Sequence, residues 1–127
     1  MGSFLVIMIN EKYKVLIVGC GNIGGRFDFD IDASSFPHSH AGSYIRHKGF
    51  EISACIDSDK RKGSEFAKKF KIPNFYDNFD SVYNANNSFD VISICSPTKA
   101  HFENIKQSLK LRPSLIFCEK PLSSSIE

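Results

Sequence analysis

An α/β fold, with a parallel sheet covered by helices on both faces, is what this 127-residue sequence predicts. Three observations carry that expectation. Short apolar stretches rich in β-branched residues alternate with stretches of helical period, giving β-α-β-α-β-α-β-α-β. The first apolar stretch runs directly into Gly19-Cys20-Gly21-Asn22-Ile23-Gly24, a G-x-G-x-x-G loop in the strand-then-loop context of a dinucleotide-binding turn. The ends of the later apolar stretches carry Asp57, Ser96-Pro97-Thr98 and Glu119-Lys120-Pro121, polar residues where open parallel sheets bind ligands. Together they predict a Rossmann-like, doubly wound, three-layer α/β/α domain.

The totals agree with one domain. Hydrophobic residues make up 42% and charged residues 24%, and the formal net charge of +2 offers no nucleic-acid surface. The four cysteines (Cys20, Cys55, Cys95, Cys118) contain no C-x-x-C pair, and each falls near the end of an expected strand. They read as small buried apolar residues rather than zinc ligands, and as reduced thiols of a cytoplasmic protein. The run Phe4–Ile9 is far shorter than the ~20 residues a membrane span needs and lacks a basic flank, so residues 1–12 read as a leader.

The elements follow in order. Val15, Leu16, Ile17 and Val18 make the first strand, Lys14–Val18. In the loop, Gly19 turns the chain, Gly21 lets the backbone approach a pyrophosphate, and Gly24 lets a helix pack close to the strand. That helix would offer its free N–H groups to phosphate. It is interrupted by a turn-rich insertion, Asp28–His40, and a helical pattern resumes at Ala41, Tyr44 and Ile45 with Gly49 as its stop. The alternating Asp28, Asp30 and Asp32 with His38 and His40 suggest a metal loop, but Ala33 stands where a calcium loop needs glycine. The insertion reads instead as a loop over the cofactor or substrate mouth.

Phe50–Asp57 is the second strand, with Ile52, Ala54 and Ile56 alternating against Ser53 and Cys55. A helix over Asp59–Phe70 buries Phe66, Ala67 and Phe70 and turns Lys60, Arg61, Lys68 and Lys69 to solvent. Pro73 precedes a short strand, Asn74–Tyr76. Phe79–Ala85 is a short helix with Val82 and Tyr83 inward. Phe89–Cys95 is the fourth strand. Thr98 is the expected N-cap of a helix over Lys99–Leu111, with Phe102, Ile105 and Leu109 on one face. Leu115–Cys118 is the fifth strand.

Asp57 carries two readings. At the end of the second strand its carboxylate accepts hydrogen bonds from both ribose hydroxyls of NAD and repels a 2′-phosphate; alternatively it caps the next helix. Ser58, Lys60 and Arg61 just beyond keep NADP open.

The set GCGNIG, ACIDSD, ISICSPTKAHFENIKQSL and CEKPLS resembles the N-terminal cofactor domain of the Gfo/Idh/MocA family, sugar and inositol dehydrogenases related to glucose–fructose oxidoreductase. The likeness covers Tyr13–Ser123, and His40-Ala41-Gly42-Ser43-Tyr44 looks like that family's first helix. The resemblance implies an NAD(P)-binding domain over 13–127 of an oxidoreductase that moves hydride between a nicotinamide cofactor and a sugar- or polyol-like hydroxyl. It implies that Gly19, Gly21, Asn22, Ile23, Gly24 and Asp57 hold the adenosine and pyrophosphate half. Ser96, Pro97, Thr98, His101 and Glu119 would lie by the nicotinamide half, with Lys120 as the catalytic residue of the E-K-P segment. An ammonium there stabilises developing alkoxide charge. The family's C-terminal substrate domain has no counterpart in this sequence, so the chain alone is expected to bind cofactor better than it turns over substrate. The expected partner of the whole enzyme is a small sugar-like molecule, with no nucleic acid and no membrane; an oligomer stays open. Two other readings stand beside this one: a non-catalytic NAD(H)-sensing module, and a binder of another nucleotide such as S-adenosylmethionine.

Overall fold

The computed structural model describes residues 11–30 and 37–119. The readings placed on the N-terminal leader, on Asp32 and on Lys120 lie outside the described residues. Among the described residues, five strands form one parallel sheet: β1 (Tyr13–Val18), β2 (Phe50–Ile56), β3 (Asn74–Tyr76), β4 (Val91–Ile94) and β5 (Leu115–Cys118), in the order β3-β2-β1-β4-β5. Four α-helices among the same residues cover it: α1 (His40–Arg46), α2 (Lys60–Lys69), α3 (Phe79–Ala85) and α4 (Thr98–Leu109). Among the described residues no helix is long and apolar enough to cross a membrane.

The central strand explains why both faces are covered. Val15, Leu16 and Ile17 are fully buried and Val18 nearly so. Alternation along β1 sends Val15 and Ile17 to one core, with Cys55, Phe66 and Ala41, under α1 and α2. Leu16 and Val18 go to the other, with Val82, Ile92 and Ile94, under α3 and α4. Each such aliphatic side chain taken from water contributes about 1.5–3 kcal/mol.

Strand β2 departs from simple alternation. Val15 pairs with Ile52 but Leu16 pairs with Ala54, so Ser53 is an extra residue in the register. Its hydroxyl donates to the Val15 carbonyl at 3.4 Å, and its own carbonyl accepts from Asn74 Nδ2 at 3.1 Å. The bulge turns Ile52 to the same face as Cys55, whereas Ala54 and Ile56 face the other core. The expected grouping of Ile52 with Ala54 and Ile56 is corrected accordingly.

The helices hold three more corrections. Helix α1 ends at Arg46, three residues before Gly49, whose carbonyl instead accepts from Tyr13 N at 2.9 Å at the start of β1. Helix α4 begins at Thr98 itself; Pro97 holds the N-cap position and no side chain caps it. Its inward residues are His101 and Ser108, with Ile105 packed on the core, while Phe102 and Leu109 are 63% and 59% exposed. With His101 and Ser108 on the buried face, the apolar pair points outward; Phe102 there lies under the Lys106 ammonium, 5.4 Å away.

The helix expected directly after the glycine loop is cut to a single turn and a 3-10 turn, Arg26–Asp28. In an unbroken helix the carbonyls of Ile23 and Gly24 would accept from amides four residues on. They accept instead from His40 N at 2.9 Å and Ala41 N at 2.7 Å. His40 stands in for residue 27 and Ala41 for residue 28, the same offset of thirteen in both cases. Helix α1 is therefore the continuation of the glycine turn, with thirteen residues looped out between. Asp28 fastens the loop. It is buried, and its carboxylate accepts from His38 N at 2.8 and 3.0 Å and from the Ser39 hydroxyl, whose oxygen in turn caps α1 at Gly42 N. Among the described residues no cluster of three His, Cys, Asp or Glu is arranged to hold a metal ion.

Candidate functional site

The sheet changes winding direction between β1 and β4, because α1 crosses one face and α4 the other. A cleft of about 520 Å³ opens there, at the carboxyl ends of the strands. The glycine loop forms its floor. Gly19 N donates to the Ile56 carbonyl at 2.8 Å, and Gly19 sits at φ +99°, a conformation that favours glycine. A Cβ at Gly19 would lie 2.6 Å from Ser96 N, and one at Gly24 would lie 2.4 Å from the Gly19 carbonyl oxygen. Gly21 differs: among the described residues a Cβ there would meet only the Lys62 ammonium, at 4.0 Å. Two of the glycines are thus required by the protein itself, and Gly21 leaves space in the cleft. The turn that opens at Gly21 leaves the amides of residues 22–24 without an acceptor within the turn.

Asp57 stands at the end of β2 and already serves the loop. One oxygen accepts from Cys20 N at 2.8 Å, the other from Asp59 N at 2.9 Å. The cap of α2 is Asp59, which accepts from Lys62 N at 3.1 Å, so the reading of Asp57 as that cap is corrected. Arg26 ties the same loop to α2: its guanidinium donates to the carbonyls of Cys20 and Lys62 and pairs with Glu65. Beneath, the Cys20 thiol is held protonated well above its usual range by its hydrogen bond to Cys55 and by burial.

Of the cations near Asp57, Lys60 pairs with Asp77 at 3.6 Å and Arg61 with Glu65 at 3.2 Å, both on the outer surface. Lys62 is the one that lines the cleft. Helical spacing already pointed to it: Lys62, Phe66 and Phe70 lie four residues apart, so Lys62 shares the inward face, one turn nearer the strand ends.

At the far end, Ser96, Pro97, Thr98, His101 and Glu119 line the same cleft. His101 is buried, with Nε2 2.6 Å from the Ser96 carbonyl oxygen, and the Ser96 hydroxyl donates to Asn104. Glu119 N extends the β4–β5 ladder by donating to the Ile94 carbonyl at 3.2 Å. Its carboxylate meets His40 Nε2 at 2.5 Å. Burial, then the Glu119 charge, pushes the Cys95 thiol beside it upward.

Of the described residues proposed from sequence, all but Gly24 line this one cleft; Gly24 lies behind the loop as a packing contact. Cys20, Phe27, Lys62 and Cys95 complete the lining without having been proposed as site residues. The set fits a dinucleotide: unclosed backbone amides and an ammonium around open space at Gly21, an acid at the end of β2, and hydroxyl, imidazole and carboxylate groups beyond.

Comparison with known proteins agrees. The model of an oxidoreductase family with an NAD-binding Rossmann fold, Gfo/Idh/MocA, matches residues 13–127. D-glucoside 3-dehydrogenase of Escherichia coli (strain K12) is 25% identical over 114 residues, which is 90% of this chain and 28% of that protein. An oxidoreductase from Agrobacterium radiobacter, solved with NAD+, L-tartaric acid and magnesium, superposes with a TM-score of 0.69 at 21% identity, covering 90% of this chain and 29% of that one. Myo-inositol 2-dehydrogenase from Lactobacillus plantarum superposes at 0.70 and 20% identity, over 91% and 30%. The chain thus spans under a third of the length of these relatives. With the cleft, the glycine loop and the strand order in agreement, the chain belongs to the Gfo/Idh/MocA oxidoreductase family, whose NAD-binding Rossmann fold it carries.

Proposed function

We propose that the cleft binds NAD, with the adenosine ribose at Asp57, the pyrophosphate over Gly19–Ile23, and the nicotinamide beside Ser96–Thr98, His101 and Glu119. The observation that carries this reading is the convergence of those residues, drawn from four separate stretches of sequence, on one cleft at the switch point of the sheet. Asp57 is fixed by two backbone amides, so its carboxylate is oriented before any ribose arrives. The glycine loop is equally preformed, and preorganisation lowers the cost of ordering on binding. Lys62 supplies positive charge over the floor of the cleft. Asp57 disfavours a 2′-phosphate and Lys62 favours one; the carboxylate at the ribose position makes NAD the preferred dinucleotide.

The bound nicotinamide supplies the hydride chemistry. The chain's own residues bind and orient it, and Lys120, next to Glu119 in sequence, is the residue proposed to stabilise charge on a substrate oxygen. The substrate class proposed for the whole enzyme is a sugar- or polyol-like alcohol. The test is a steady-state assay of the full-length protein with NAD+ and a panel of polyols and glycosides, read by nicotinamide absorbance. Reduction of NAD+ by members of the panel is the expected result. Tight cofactor binding without turnover of any of them would favour a sensing role instead.

A further inference from the structure

The thirteen-residue loop-out has a consequence at the opposite end of the cleft. By resuming the helix on the carbonyls of Ile23 and Gly24, the chain sets His40 at the first position after the glycine turn. There its ring packs edge-on against Phe117 of β5, with centroids 5.3 Å apart, and its side chain is 10% exposed. Its Nε2 meets Glu119 at 2.5 Å. Glu119 is held through its backbone by β4 and is 36% exposed. It borders both the cofactor cleft and a second cavity of about 410 Å³ walled by Pro37, His38 and Ser39 of the loop-out. One carboxylate oxygen is therefore tied to an imidazole whose own place is fixed by the spliced helix and, through Asp28 and Ser39, by the buried end of the loop.

We infer that His40 is a positioning residue for the nicotinamide end of the cleft: it holds the Glu119 carboxylate where the site favours the cationic, oxidised nicotinamide over the neutral, reduced one. The inference rests on the proposed placement of NAD. Donating its Nε2–H, the imidazole restrains the carboxylate in place. A fixed negative charge beside the ring then interacts with NAD+ and not with NADH, because only the oxidised ring is charged. For partly exposed groups such a contact lies between the bulk-water and protein-surface limits, which corresponds to about tenfold in relative affinity.

The experiment is calorimetric titration of this chain with NAD+ and with NADH, for the wild type, Glu119→Gln, His40→Ala and His40→Gln. The inference expects the wild type to prefer NAD+, and Glu119→Gln to reduce that preference about tenfold. His40→Ala should reduce it by at least threefold, and His40→Gln, which keeps an N–H donor, should restore much of it. An unchanged preference in Glu119→Gln, or equal weakening of both nucleotides in His40→Ala, overturns the inference and leaves the cofactor reading standing. A folded wild-type chain that binds neither nucleotide overturns that reading and the inference with it. Should His40→Ala not fold, His40→Phe, which keeps a ring against Phe117 without the N–H donor, carries the same expectation and is overturned by the same result.

Discussion

The glycine loop makes the sharpest prediction, because its glycines answer to different constraints. Gly19→Ala places a methyl group 2.6 Å from Ser96 N and strains a backbone at φ +99°. A left-handed conformation costs an L-residue about 1–2 kcal/mol, and backbone on the far side of the contact cannot swing away. A total of about 2–4 kcal/mol follows, within the range typical of strained or overpacked sites. At roughly 4 °C per kcal/mol for a domain of this size, the melting temperature should fall by about 8–16 °C. Gly24→Ala, with its methyl 2.4 Å from the Gly19 carbonyl oxygen, should behave similarly. Gly21→Val should not: nothing but a lysine tip lies within 4.0 Å, so the apo-domain should melt within about 2 °C of the wild type. The same side chain would stand where the proposed pyrophosphate approaches the backbone. Losing one or two charge-assisted hydrogen bonds, each worth about 1.5–3 kcal/mol, weakens NAD+ binding by at least tenfold. Thermal melts paired with calorimetric titration read both quantities. A Gly21→Val domain that binds NAD+ within twofold of wild type, or melts like Gly19→Ala, would refute the division between structural and cofactor-facing glycines.

Asp57→Asn should weaken NAD+ about tenfold and leave NADP+ unchanged or improved; equal loss of both would reduce Asp57 to a clamp on the Cys20 amide. Lys62→Ala should weaken both dinucleotides, whereas Lys60→Ala and Arg61→Ala, paired on the outer surface, should change neither by more than about twofold. Asp28→Ala strips the acceptor from His38 N and the Ser39 hydroxyl at a buried site, and should cost about 2–4 kcal/mol in a denaturant melt. The thiols of Cys20, Cys95 and Cys118 are all raised above the ordinary value of 9.0 in the folded protein, chiefly by burial and, for Cys20, by the bond to Cys55. Above pH 9 the unfolded chain therefore loses protons that the native state keeps. Stability that is intact below pH 9 declines as the pH climbs further, and a melting temperature no lower at pH 10 than at pH 8 would contradict this.

Local sequence was sufficient for most of the fold. The limits of β3, α3 and β5 are those read from local pattern, with Pro73 just ahead of β3. What escaped depended on distant partners. The Ser53 bulge is visible only against β1, since the extra residue is defined by what Val15 and Leu16 pair with. Phe102 and Leu109 satisfy a helical stripe, yet the surface α4 covers admits His101 and Ser108 more closely. The loop-out looked like an interruption because the bonds that close it join Gly24 to Ala41 across the insertion. The cleft lining was more legible than its supports: Gly19, Gly21, Asp57, Thr98 and Glu119 were named from motif and position, and His101 from the family resemblance. Lys62 was passed over in favour of its neighbours Lys60 and Arg61, although its four-residue spacing from Phe66 already set it on the inner face. The His40–Glu119 contact joins residues seventy-nine apart, and neither stretch alone announces it.

Titrating this chain with NAD+ and separately with NADP+ in a calorimeter puts the dinucleotide cleft itself to the test. Saturable binding of one NAD+ per chain, tighter than that of NADP+, is the expected result. A folded chain that takes up neither dinucleotide would contradict it.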